Sequence, residues 1–540
     1  MATADLVGGR IVLSGPPDLS PFISTLPENR WNAPKRSWTV AATPLAAAKI
    51  MESRRFAASA DVHQLALSWD RAITPPTVGS LVGRRFGTDL WKHQQQMFAF
   101  AIEKYAAMFS CGMGTGKSAT TVALLENWPI ATATILCPRS VIGVWRREFE
   151  RHADGLVKVL CLDKGTAAKK SAAVEDFVAG QRDFLRVVVV NYESAWRPGL
   201  AERLLLTDFD AVVLDESHRI KSHSGNASKF AYKLGKAARR RLCLTGTPMP
   251  HSPLDLYAQY RFLEPAIFGT SFTAFRSKYA VTDPNYHNRV LRFQNQEELT
   301  AEAEPLMIRI KSSDVLDLPP IVEQVIDIEL EPKARKAYEQ LKSEMIVELE
   351  AGTITAGNAL TKLLRLQQIT SGWVKTEDER MIEVSDAKRQ VLEEMIDDMG
   401  PDEPVVVFCR FSSDIEAVRK VAKNLGRVFG EISGSHKDLT PHSTMPEGIQ
   451  VMAVQQQSGG TGIDLTAARY VVWFSQSFSL GDNDQANARV HRPGQTKPVT
   501  IYRLSVVDSV DQLIARAIEQ RRSVVDYVLD SIRPKVAESI

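Results

Sequence analysis

Eight short apolar runs constrain what this chain can fold into: Thr134 to Cys137, Val187 to Val190, Ala211 to Leu214, Leu242 to Leu244, Val405 to Cys409, Val451 to Val454, Tyr470 to Phe474 and Val499 to Leu504. Runs with no polar alternation are strands covered on both faces, and the helix-compatible sequence between them supplies the crossovers that parallel strands need. The expected class is therefore α/β, with parallel sheets. The runs form two groups, separated by residues 250 to 386, where helix-compatible segments such as Pro332 to Leu349 dominate. Two α/β lobes with helical additions between them are expected. Pro319-Pro320, after Asp317-Leu318, is the clearest boundary, because two prolines disfavour continued helix or sheet. Residues 1–80 read as a small α+β module ahead of the first lobe, closing in the turn-prone Thr74-Pro75-Pro76.

A length of 540 residues suits three to four domains. Hydrophobic residues at 44% and charged residues at 24% exclude collagen-like, low-complexity and wholly disordered chains. Lys plus Arg number 66 against 64 Asp plus Glu, so any site for a polyanion must be local. The opening MATADLVGGR lacks the apolar stretch of a signal peptide, and no run approaches the roughly 18 residues that span a bilayer. A cytoplasmic protein with no membrane partner is expected. Cys111, Cys137, Cys161, Cys243 and Cys409 form no C-x-x-C pair, which suits buried thiols in a reducing compartment.

The chemistry concentrates in three places. Tyr105 to Ser110 leads into Cys111-Gly112-Met113-Gly114-Thr115-Gly116-Lys117-Ser118 and then a helical run, Ala119 to Trp128. Glycines turn backbone N–H groups toward phosphate oxygens, Lys117 brings charge to the β/γ-phosphates, and the Ser118 hydroxyl suits Mg2+. A strict P-loop has glycine where this chain has Cys111. Next, the run from Phe209 to Leu214 ends in Asp215-Glu216-Ser217-His218. Carboxylates at such a strand end lie beside a P-loop, with Asp215 placed to hold magnesium and Glu216 to orient and deprotonate the attacking water. The hydroxyls of Thr245-Gly246-Thr247-Pro248, after a third strand, face the γ-phosphate from the same edge. Finally, Arg489 and Arg492 fall three apart, on one face if their segment is helical, and guanidinium forks suit phosphate in a transition state. With one P-loop lobe and a second lobe lacking its own, these arginines are expected to complete an ATP site as fingers. Ser458-Gly459-Gly460-Thr461-Gly462-Ile463-Asp464 offers backbone donors of the same kind.

In this order the motifs resemble those of the Swi/Snf-type DNA translocases of helicase superfamily two, over about residues 86 to 535. Leu90-Trp91-Lys92-His93-Gln94 is similar to the glutamine element that reads adenine, which implies His93 and Gln94 at the nucleotide. Cys137-Pro138-Arg139-Ser140 with Trp145 is similar to the first DNA-contacting motif. Asn191-Tyr192-Glu193, Asp215 to Lys221, Leu244 to Pro250 and Phe262 to Pro265 follow, and then Leu364 to Gln368, Gly460 to Leu465 and Gln485 to Gln495. The resemblance implies two RecA-like lobes: 86–318, with a helical protrusion from about 251, and 319–540, with a helical segment at 332–375. It implies ATP with Mg2+, and a motor, monomeric, that walks on duplex or branched DNA without separating strands. Pro138, Arg139, Asn191, Tyr192, Thr245, Ser458 and Gly459 would serve the DNA, and Gly462 and Asp464 the nucleotide. Two departures stand out: Cys111-Gly112 replaces an acidic pair before Met113, and Ser475 to Leu480 replaces Trp-Asn-Pro. The 409–458 stretch has no room for a large insertion, so a minimal motor of the bacterial or phage kind is implied.

Pro21 to Val40 resembles more loosely the HARP module found ahead of annealing-helicase motors, through Leu26-Pro27, Trp31, Lys35 and Trp38. Trp31 and Trp38, interleaved with Lys35 and Arg36, either stack on DNA or build the module's core. The leading expectation is an ATP-dependent double-stranded DNA translocase that remodels protein–DNA complexes or branched DNA. A strand-separating helicase and a DNA-binding scaffold with a decayed ATP site are the alternatives. The sequence names no protein partner.

Overall fold

The structure, a computed structural model, describes residues 2–520 except 75–82, 85, 156, 180–183, 251, 284–289, 351–355, 376–379, 437, 440–443 and 457–462. The chain divides into two compact units, Met1–Val315 and Leu316–Ile540.

The first unit is built on a seven-stranded, wholly parallel sheet. Its order is Met307–Ile310, Ala106–Cys111, Arg240–Thr245, Ala211–Asp215, Thr132–Cys137, Leu185–Asn191 and Val157–Cys161. Val187 to Val190 and Ala211 to Leu214 are fully buried, which is why their sequence shows no alternation. Helices such as Lys117–Asn127 and Ile142–His152 cover the faces, so that the carboxyl ends of the strands and their loops gather along one edge.

A five-stranded sheet precedes it, in the order Arg30–Asn32, Ser37–Ala41, Arg10–Ser14, Ala2–Val7 and Phe56–Ala58, with helices Pro44–Glu52 and Ala60–Ile73. This is the small α+β module, and its core runs on into that of the first lobe. Glu28 ties the two together. Its carboxylate accepts from Arg10 Nη1 at 2.8 Å, from Lys236 Nζ at 2.8 Å and from the Tyr232 hydroxyl. Partial burial works against the charge, but these three donors hold the Glu28 carboxyl down to about 2. Lys49 Nζ adds a bond to the Ala266 carbonyl at 3.1 Å.

The second unit carries a six-stranded parallel sheet, ordered Ile321–Ile328, Val499–Val506, Tyr470–Trp473, Val405–Cys409, Val451–Gln455 and Phe429–Ile432. Helices Pro332–Glu350 and Ala356–Thr370 follow its first strand. The interval from 250 to 386, expected to be mainly helical, in fact supplies an edge strand to each sheet: Met307–Ile310 to the first and Ile321–Ile328 to the second. Edge strands are half solvated, so Ile321-Val322-Glu323-Gln324-Val325 mixes apolar with polar residues and lacks the continuous apolar signature of a central strand. Pro319-Pro320 does not interrupt the sheet, because the strand begins immediately after it.

Candidate nucleotide site and nucleic-acid surface

Strand Ala106–Cys111, the loop 112–116 and helix Lys117–Asn127 form the strand, glycine-rich loop and helix expected from the sequence. Gly114 and Gly116 have φ of 75° and 78°, a region that favours glycine. Gly116 is further constrained, since a Cβ there would lie 2.0 Å from Gln94 Nε2. Lys117 Nζ donates to the carbonyls of Cys111 (2.8 Å) and Gly112 (3.0 Å), and Thr115 Oγ1 donates to the Gly112 carbonyl (2.8 Å). Ser118 lies in the first turn of the helix. Cys111, in the place of a glycine, ends the strand and is fully buried.

His93 and Gln94 brace this loop from helix Lys92–Ile102. His93 Nε2 donates to the Thr115 carbonyl at 2.9 Å, while Gln94 accepts from the Trp91 N–H at 2.9 Å and donates to the same carbonyl at 3.4 Å. Both side chains are buried. Their contacts here are with the P-loop itself.

Asp215 ends strand Ala211–Asp215, and Glu216 follows in the left-handed region at φ 51°, ψ 53°, a costly conformation for a non-glycine residue. One Glu216 carboxylate oxygen is buried without a hydrogen bond; its nearest cationic candidate, His218 Nδ1, stands 3.4 Å away. Burial and the adjacent Glu216 charge push the Asp215 carboxyl up to about 7, opposed by the Trp145 hydrogen bond and the Lys117 ammonium. The hard oxygen donors of Ser118 and Asp215 suit Mg2+, and a cation is what would keep two adjacent carboxylates ionised. No cluster of three His, Cys, Asp or Glu side chains suited to a metal occurs among the described residues.

Several residues expected at DNA have other positions. Thr245 is fully buried, and its hydroxyl accepts from Thr247 N–H (3.1 Å) and pairs with His218 Nδ1 (3.3 Å), so it cannot reach a polymer. Tyr192 is buried and donates to the Asp215 main-chain carbonyl at 2.8 Å. Trp145, also buried, donates from Nε1 to Asp215 Oδ2 at 3.0 Å. Asn191 is buried and bonds Glu193 (2.9 Å), and Pro138 is buried, whereas Arg139 is exposed. Trp31 is 50% exposed on its hairpin, while Trp38, 5.4 Å away between ring centroids, packs on the module's core. The pair therefore divides between the two readings.

In the second unit, helix Leu480–Val490 carries Arg489, but Arg492 lies beyond its end, so the two share no helical face. Pro493 disfavours helical geometry at the residue before it. His491 Nε2 donates to the Pro319 carbonyl at 2.7 Å, which fixes the turn. Asp464 accepts from the N–H and hydroxyl of Thr466 (3.0 and 2.7 Å). Ser458, Gly459 and Gly462 lie outside the described residues.

Three contributors escaped sequence reasoning. Ser312 Oγ donates to the Met113 carbonyl at 2.7 Å, fastening the P-loop to the end of the first unit. Buried Gln259 joins Ser217 to the Pro248 carbonyl, at 2.7 Å each, and so links the two motif loops. Buried Lys170 bonds Ser194 at 3.3 Å, with Arg139 and Arg197 near enough to disfavour its charge further, beyond the larger effect of burial. In sequence, Lys169-Lys170 looks like any solvated helix face.

The sequence matches the SNF2-related domain over residues 91–372 and the helicase conserved C-terminal domain over 387–494. This chain belongs to the SNF2 family. As an SNF2 protein it is an ATP-hydrolysing enzyme of helicase superfamily two, and its relatives agree. It is 26% identical to a protein called "Putative protein p41" of Acyrthosiphon pisum secondary endosymbiont phage 1, over 78% of this chain and 94% of that one. An "Uncharacterized ATP-dependent helicase" of Mycoplasma genitalium is 24% identical over 79% of this chain; the SNF2 chain spans only 40% of that longer protein. A Caenorhabditis elegans homologue of the SWI/SNF-related subfamily A-like protein 1 is 24% identical over 94% of this chain and 72% of its own length. Among solved structures, the Sulfolobus solfataricus SWI2/SNF2 ATPase core in complex with dsDNA is similar at 22% identity, covering 84% of this chain and 95% of that one, with a TM-score of 0.39. No helix among the described residues is long and apolar enough to cross a membrane.

Proposed function

We propose that this SNF2 protein is a DNA-stimulated ATPase that moves along duplex DNA and so remodels protein–DNA complexes or branched DNA. The observation that carries the reading is one sheet edge in the first lobe. It bears Lys117, Ser118, Asp215 and Glu216 and, a few strands away, the exposed Arg139 and Arg197 on either side of Lys170, which is buried against Ser194. Exposed guanidinium groups at the carboxyl ends of strands suit a phosphate backbone, which carries no sequence information.

On this reading the P-loop N–H groups and Lys117 bind the β- and γ-phosphates. Ser118 and Asp215 would hold Mg2+, which would supply charge to offset that of the phosphate oxygens. Glu216 takes a proton from the attacking water. Alternation between nucleotide states then changes the grip on the backbone. The exposed Trp31 is the N-terminal module's contribution to a fork.

The test is ATP turnover without polynucleotide and with single strands, duplex, forks and RNA. Duplex and forks should stimulate strongly, RNA weakly, and added salt should suppress the effect steeply. Stimulation by RNA alone would point to an RNA motor, and absence of turnover with every polymer to a scaffold.

A further inference from the structure

The two elements of the first lobe expected to meet DNA both reach inward to one residue. Arg139, exposed, opens the turn Arg139–Val141, which runs without a break into helix Ile142–His152, and that helix carries Trp145. Strand Leu185–Asn191 passes directly into helix Tyr192–Ala195, whose Ser194 meets Lys170 and whose next residue but one is the exposed Arg197. From the first element the fully buried indole of Trp145 donates to Asp215 Oδ2 at 3.0 Å. From the second, the buried hydroxyl of Tyr192 donates to the Asp215 carbonyl at 2.8 Å. Asp215 is therefore held by its side chain and its main chain at once, each time by an aromatic donor that offers no charge and packs rigidly. An indole N–H can only donate, so the geometry of that bond is unambiguous.

We propose that Trp145 and Tyr192 are positioning residues that set Asp215 for its cation and make that setting respond to polynucleotide, so that contact at Arg139 or at the 191–197 turn is felt at the hydrolytic carboxylate. This rests on the reading of the chain as a DNA-stimulated ATPase, and it supplies the physical link by which that stimulation arises. Both links are direct hydrogen bonds from elements with one end at the surface, so a shift of a few tenths of an ångström in either turn is delivered without an intermediate.

The full chain is tested as Trp145→Phe, which keeps an aromatic ring and removes the N–H, and as Tyr192→Phe, which removes one oxygen. Three quantities are read: the Mg2+ concentration that half-saturates binding of a fluorescent non-hydrolysable ATP analogue, the ratio of turnover with duplex to turnover without, and the duplex Kd. Trp145→Phe should raise the Mg2+ midpoint about tenfold, as loss of a partner behind a metal ligand does, and lower the stimulation ratio several-fold while the duplex Kd stays within twofold. Tyr192→Phe should lower the ratio with a smaller change in the Mg2+ midpoint. An unchanged Mg2+ midpoint in folded Trp145→Phe overturns the positioning role, and an unchanged stimulation ratio in both variants overturns the coupling. Should thermal unfolding show Trp145→Phe to be misfolded, an unchanged ratio in Tyr192→Phe alone overturns the proposal. A wild-type chain that DNA fails to stimulate would instead refute the underlying functional reading.

Discussion

Each lobe contains a parallel strand, turn and helix of the same kind, but the two turns are filled differently. In the first, Ala106–Cys111 leads through 112–116 to Lys117–Asn127, and among the described residues no side-chain carboxylate is hydrogen-bonded to that loop. In the second, Val405–Cys409 leads through Arg410 and Phe411 to Ser412–Asn424, and the fully buried Asp414 fills the turn. Its Oδ2 accepts from the N–H groups of Arg410 (3.2 Å) and Phe411 (3.0 Å) and from the Ser475 hydroxyl (2.5 Å). Burial pushes the Asp414 carboxyl up, against these bonds. A helix N-terminus is a phosphate site only where the chain leaves its donors open; the second lobe fills its own with the Asp414 side chain.

The sharpest way to break this contrast is to remove the key residue of each turn. Lys117→Ala should cut ATP turnover by at least about a hundred- to a thousand-fold, the scale of losing one charge-stabilising donor, with an unchanged thermal midpoint, because Lys117 serves charge and not packing. Glu216→Gln should keep ATP binding and lose hydrolysis, trapping an ATP-loaded state; wild-type turnover there would show the base to be misassigned. Asp414→Ala should do the reverse of Lys117→Ala. It strands the Phe411 N–H and the Ser475 hydroxyl, while the Arg410 N–H keeps Ser475 Oγ at 2.8 Å, at a cost of about 2 kcal/mol or more in denaturant unfolding, and nucleotide binding to the first lobe persists. An Asp414 variant of normal stability would show that its turn is not closed in the way described.

A smaller effect is a dependence of stability on pH. Because the Asp215 carboxyl is raised, the folded chain holds a proton there that the unfolded chain has already lost, so Mg2+-free stability should fall as pH rises from about 4 toward neutrality. Asp215→Asn should remove that part of the decline in a series of thermal midpoints, and its persistence in the variant would place the titration elsewhere.

Much of this was legible in the sequence, because central parallel strands and phosphate loops leave local signatures: Val187 to Val190 could be little else than a buried strand, and Gly114 to Ser118 little else than a phosphate turn. The edge strands Met307–Ile310 and Ile321–Ile328 were hidden by their solvated composition. The inward turn of Trp145, Tyr192 and Thr245 was hidden for another reason. A motif records which residues occur together, but not which of them face the ligand and which stand behind it. Arg492 shows the same limit, since its spacing from Arg489 suggested a shared face that the turn before Pro493 removes.

Movement on duplex DNA is the central claim, and displacement of a third strand tests it most directly. A duplex carrying a triplex-forming oligonucleotide, and a forked duplex labelled for strand separation, are given in parallel to the wild-type chain with ATP. The account predicts ATP-dependent release of the third strand, abolished in Lys117→Ala, with no separation of the fork's strands. Strand separation at the fork, or ATP turnover that duplex stimulates without any release of the third strand, would contradict it.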